Sequence, residues 1–342
     1  MGGPTTRRFY LSVAISPDGQ RIASSNEKHT VDVWNLTKLP QKKELVGHTD
    51  IVAGVAYSPD GERIASASLD GTVKVWNAAS GQEERTLQGH TQGARCVAFE
   101  PGGKRVVSGG DDQAVKIWEA VTGHEIRTLN GHSGGIKSIA FSRDGSQLAS
   151  ASEDRTVKVW DMKTGRELMT LRGHLFDVNG VAFSSDGSRI ASTGNEHVVK
   201  VWDATTGREI TTLRGHTSIV HGVAFSPDGS RIASASQDST VKLWDTTSWR
   251  ETASLRTNNF SYGVAFSRDG TLLVATDWNL VNLWDARPWT PEFAAKQEAE
   301  NLVRFLHKQG QAPSEWVDAI MANQFLSKPV RERALQFAHE WK

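Results

Sequence analysis

A histidine, a serine and an aspartate stand at fixed distances from one another four times in this chain. The sets are His48, Ser66 and Asp70; His90, Ser108 and Asp112; His132, Ser150 and Asp154; and His216, Ser234 and Asp238. These residue types do nucleophilic catalysis, in which a base takes the serine proton and a carboxylate orients the base. A tryptophan follows each set, as Trp76, Trp118, Trp160 and Trp244, and His174, Ser192, Glu196 and Trp202 form a variant with glutamate for aspartate. Repetition argues against chemistry. No reaction requires four identical triads, whereas a recurring fold position must give its buried polar groups the same partners each time. The expected role is a structural tie: histidine bonds serine and carboxylate, and serine bonds the indole N–H.

The elements that would position these residues follow from the tryptophans. Trp34, Trp76, Trp118, Trp160, Trp202 and Trp244 lie 42 residues apart and Trp284 follows after 40, each preceding Asp, Asn or Glu. A period of this size marks a repeat architecture. In the copy spanning 131–172, strands are expected at 136–142, 147–152, 156–160 and 167–171. The stretches between them carry turn residues such as Asp144-Gly145 and Thr164-Gly165. Four short antiparallel strands make one sheet that cannot bury both faces alone, and stacking the copies around an axis buries them all.

The Gly-His pairs ending at His48, His90, His132, His174 and His216, together with the Trp-Asp-type dipeptides, resemble the WD40 family of β-propellers. The resemblance covers most of the chain. It implies an all-β, seven-bladed propeller over 9–287, with a lead at 1–8 and a helical C-terminal segment at 288–342. The turns at 58–61 and 226–229 are like those of bacterial members. Two blades depart from the pattern. Thr6 and Lys28 take the His and Asp positions in the first; Asn258, Val274 and Trp278 take the His, Ser and Asp positions in the last, with Asp277 beside Trp278. Counting back one period puts the strand that would complete the last blade mostly before residue 1. That blade is expected to have three good strands, or a short irregular fourth, with self-association through its open edge as one consequence.

The resemblance also implies a binding rim. Family partners often contact the positions three and five after the Gly-His histidine and the residue before the tetrad aspartate. Here these are Phe9, Leu11 and Glu27; Ile51, Ala53 and Leu69; Ile219, His221 and Gln237; and Phe260, Tyr262 and Asp277. In blades three to five they are Gly93, Arg95, Asp111, Gly135, Lys137, Glu153, Asp177, Asn179 and Asn195. The expected partner-binding set is Phe9, Leu11, Ile51, Leu69, Arg95, Lys137, His221, Phe260 and Tyr262. An apolar arc would hold a bound segment, with a charged residue of that segment toward Arg95 or Lys137. The competing reading buries Phe9 and Phe260 as core.

The totals exclude several classes. Lys and Arg number 39 and Asp and Glu 39, so no net field draws the chain to nucleic acid or an anionic membrane. Cys96 is the only cysteine, which excludes intramolecular disulfides and cysteine-rich metal sites; it reads as a small strand residue. Residues 1–8 hold no signal-peptide core and no apolar run approaches the ~18–20 residues of a membrane span, so a soluble, cytoplasmic protein is expected. Arg95, Lys137, Asn179 and His221 share one level of the inner strands, a mixed set with two cations and no metal character. No metal, cofactor or catalytic residue is expected. After Pro288 and Pro291 the spacing turns helical, with Ala295, Ala299, Leu302 and Leu306 on one face, then Val317, Ile320 and Met321, then Val330, Ala334 and Leu335. The function expected is a non-enzymatic platform for a protein or peptide partner. A spacer propeller detached from a larger multidomain signalling protein, or a propeller enzyme with a channel site, are the alternatives.

Overall fold

Each 42-residue unit folds as one antiparallel sheet whose strands follow sequence order from the channel outward, named a to d below. The structure is a computed structural model and describes residues 11–26, 28–37, 42–278, 280–287, 316, 320, 321, 331, 332 and 334–336. Thr6, Phe9, Glu27 and the helix expected over 295–306 lie outside the described residues. Contacts divide the chain into two units, Met1–Asp285 and Ala286–Lys342.

Among the described residues the first unit contains seven sheets, six with four strands. Blade one runs Val13–Ile15, Arg21–Ser25, Val31–Asn35 and Lys42–Leu45, and blade four runs Ile136–Phe141, Gln147–Ser152, Thr156–Asp161 and Glu167–Arg172. Among the described residues blade seven has three strands, Ser261–Phe266, Leu272–Asp277 and Val281–Asp285. Strand a of blade one lies against strands a and b of blade seven, which closes the ring.

The core lies between blades. Ala149, Ala151, Val157 and Leu171 of blade four pack with Val178, Val181, Ile190 and Trp202 of blade five. Alanines on strand b let the neighbouring tryptophan approach closely, and this buried apolar surface drives the stacking. The a–b turns are held by an Asp-Gly pair. In blade four Gly145 takes φ 72°, while Asp144 accepts the Ser142 hydroxyl and the Ser146 N–H, bonds that hold its carboxyl at about 2.

Strand a carries a recurrent irregularity. Where it pairs with strand b the register slips by one residue near its start: Val178 faces Gly194 but Gly180 faces Thr193, leaving Asn179 as the extra residue. The same slip isolates Ala53, Arg95, Lys137 and His221 in their blades, and Tyr262 lies within the corresponding shift in blade seven. A bulge of this kind bends the strand and re-aims one side chain.

Register corrects the reading of the last blade. Val264 faces Ala275 where Val223 faces Ser234, so Ala275, not Val274, stands at the serine position. Asp277 faces Ser261 as Ser236 faces Val220, which makes Trp278 the equivalent of Gln237, the residue before the tetrad aspartate. The physical cause is that the two missing residues are not lost together. One is absent from the loop before strand a and one from the b–c turn.

In the second unit Trp316, Ile320, Met321, Arg331, Glu332, Ala334, Leu335 and Gln336 are helical. Trp316, Ile320 and Ala334 are buried, and Met321 is 59% exposed. Among the described residues no helix is long and apolar enough to cross a membrane.

Candidate functional site

Two polar systems are built on this frame, one buried inside the blades and one at the mouth of the channel. In blade two the buried system runs from Asp70 to His48 Nδ1 at 2.8 Å, from His48 Nε2 to Ser66 Oγ at 2.8 Å, and from Trp76 Nε1 to Ser66 Oγ at 2.8 Å. The carboxylate can only accept and the indole can only donate. The proton of a neutral His48 therefore sits on Nδ1, and Ser66 donates to Nε2 while accepting from Trp76. Blades three, four and six repeat the chain through His90, His132 and His216 with every link between 2.7 and 2.9 Å. Blade five keeps it with Glu196 bonded to His174.

This is the connectivity of a hydrolytic triad, but the serines are sealed. Ser66, Ser108, Ser150, Ser192 and Ser234 are 0% exposed and each already takes an indole N–H, so no substrate carbonyl can reach them. Burial pulls the His48, His90 and His216 imidazoles below their ordinary range against the opposing pull of Asp70, Asp112 and Asp238. Burial opposes ionisation of Asp70, yet bonds from Thr72, the Thr49 N–H and His48 hold its carboxyl at about 2. Neutral histidine beside ionised aspartate satisfies every group in the chain.

A second repeated tie escaped the sequence reading. Lys158 Nζ bonds Glu167 at 2.7 Å and Thr170 at 2.9 Å, clamping strand c to strand d, and Lys74, Lys116 and Lys200 do the same with their own Glu and Thr. The signal was present as a fixed spacing of 9 and 12 residues from each lysine. In blade one the charges are reversed, with Asp32 in the lysine's place bonded by Lys42 at 3.2 Å.

The mouth of the channel is a cavity of about 280 Å³ whose lining includes Leu11, Arg95, Lys137, Asn179, His221 and Tyr262. The structure thus gathers Leu11, Arg95, Lys137, His221 and Tyr262 of the expected set. Ile51, Leu69 and Phe260 do not line this cavity. All three retain solvent exposure, with Phe260 at 38%, so Phe260 is not core. Phe9 lies outside the described residues.

In blades three to seven the residue in the bulge pairs with the side chain 16 residues on, at the end of strand b, and the chemistry of the pair changes from blade to blade. Arg95 Nε bonds Asp111 at 2.8 Å and Lys137 Nζ bonds Glu153 at 2.6 Å. Asn179 Nδ2 donates to Asn195 Oδ1 at 2.8 Å, and Gln237 Nε2 bonds His221 Nε2 at 2.9 Å. Trp278 donates its indole N–H to the Tyr262 hydroxyl. Phe260 meets Trp278 edge to face at 5.4 Å, and the His221 and Tyr262 rings lie 4.7 Å apart. Ala53 and Leu69 hold the same two positions in blade two. Among the described residues no group of three or more His, Cys, Asp or Glu side chains is placed to hold a metal ion.

A family model described as WD domain, G-beta repeat, matches residues 7–35, 39–77, 81–119, 123–161, 165–203 and 207–245. Each window ends on a strand c, and the departed strands of blade seven fall beyond the last. No curated protein matched the chain. Six matched repeats spanning well over half of the sequence, on a seven-bladed ring, show that the chain belongs to the WD40 repeat family.

Proposed function

We propose that this propeller is a non-enzymatic platform that binds a protein or peptide partner at the channel mouth, with the propeller of 9–287 as the binding unit. WD40 propellers generally serve protein interaction. One observation carries the site: the strands, turns and tetrads beneath are near copies, while the bulged residue and its partner differ in every blade described. A framework needs identical ties; a surface that recognises something needs different groups around its rim. Partly exposed aromatic side chains beside polar ones are the usual makeup of an interface centre. The sealed serines argue against hydrolysis. Capture from the native cell on wild-type protein, compared with Tyr262→Ala combined with Leu69→Ala, tests the reading. A bound protein recovered with the wild type and lost with the double variant is expected, and equal recovery would place the site elsewhere.

A further inference from the structure

The ionised bulged residues are matched within their own blades. Arg95 faces Asp111 and Lys137 faces Glu153, so neither cation is held in reserve for an incoming carboxylate. The corresponding pairs of blades five and six add no charge, and Asp177, on the rim of blade five, does not line the cavity. Burial, with the Lys137 charge nearby, takes the His221 imidazole down to about 4, so it is neutral at physiological pH. An ionised ligand group brought into the cavity would lose water with no free counter-charge among the residues that line it.

What these blades do offer is hydrogen-bonding capacity. Asn179 Nδ2 is used twice, by Asn195 Oδ1 and by the Val220 carbonyl at 3.1 Å. Among the described residues Asn179 Oδ1 and Asn195 Nδ2 have no protein partner, and they are not among the sealed polar atoms. One is an acceptor and the other a donor, the complement of a peptide N–H and C=O. The next blades carry the ring system of His221, Tyr262, Trp278 and Phe260. Acceptor, donor and aromatic surface therefore follow one another around a single arc.

We propose that the mouth holds an uncharged stretch of peptide, with an apolar side chain against Tyr262, Trp278 and Phe260 and one peptide group bonded by Asn179 and Asn195. This rests on the platform reading and specifies its partner. It replaces the expectation of a charged residue directed to Arg95 or Lys137. Because rim charge governs salt dependence, such binding should be nearly indifferent to ionic strength.

The test uses a phage-displayed library of short random peptides selected on the full chain, with enriched sequences then measured as free peptides. Expected are peptides rich in aromatic or branched aliphatic residues and poor in charged ones. Their affinity should move less than about twofold between about 50 mM and about 500 mM salt. It should fall at least about tenfold in Trp278→Ala. Asn195→Asp, which keeps side-chain shape but replaces the donor, should fall comparably and guards against a folding defect in the tryptophan variant. Charged peptides, or affinity lost about tenfold with salt, that still depend on Trp278 and Asn195 would overturn the uncharged-segment proposal and leave the platform reading standing. Enriched peptides indifferent to both variants, or no enrichment, would overturn the platform reading at this rim as well.

Discussion

Blade four and the two blades at the ring closure share one strand plan but treat their buried polar positions in opposite ways. In blade four Asp154, His132, Ser150 and Trp160 satisfy one another link by link. Blade one keeps Ser24 at the serine position, yet its hydroxyl is buried without a partner, and Lys28 at the aspartate position is exposed. Blade seven has Ala275 for the serine. Its described polar groups turn elsewhere, with Asp277 accepting from the Leu280 N–H and from Asn282, and Trp278 bonding Tyr262 at the rim. The difference teaches that the tetrad is a stability device the ring can lack at its closure. In blade seven, where it is absent, the loops above it carry Phe260 and Trp278.

The comparison breaks first on the tetrad itself. Asp154→Ala leaves a buried imidazole N–H without its acceptor and should cost about 2 kcal/mol. Lys28→Ala, at the matching position of blade one, should cost almost nothing. Urea titration of both variants checks this, and equal midpoints would remove the structural assignment.

Acid should act through the same groups. His48, His90 and His216 lie below their ordinary value of 6.5 in the fold, so the unfolded chain binds more protons than the folded one as pH drops. Stability present above about pH 6.5 is therefore lost progressively as pH falls from there toward the folded values. Below about pH 4 the lowered carboxylates, Asp70 among them, extend the loss. A urea midpoint unchanged between about pH 7 and about pH 5 would contradict the neutral, buried histidines.

A smaller effect sharpens the rule that buried polar groups here come with partners. Tyr57 stands where the other regular blades have Phe99, Phe141, Phe183 and Phe225, and its hydroxyl is buried without a bond. Tyr57→Phe should stabilise the protein by about 1 kcal/mol, read as a higher urea midpoint.

Fold and framework were legible because both repeat. Constant spacing of 18 residues from histidine to serine and 22 to aspartate reports a constant geometry. The rim was legible only as positions. Its pairs share a spacing of 16 but no chemistry, so Arg95 with Asp111 and Tyr262 with Trp278 leave no common residue pattern. The bulge that aims them is a register event and has no residue type of its own. The last blade was misread by one residue because counting treats two deletions as a block, whereas the backbone absorbs them in two separate turns.

Site-directed photo-crosslinking in the native cell tests the central claim most directly. A photoreactive residue would replace Tyr262 at the channel mouth or, as a control, Arg143 in the a–b turn at the other end of strand b. The account predicts a discrete protein adduct from position 262 and none from position 143. An adduct from position 143 alone, or none from either, would contradict a partner seated at the channel mouth.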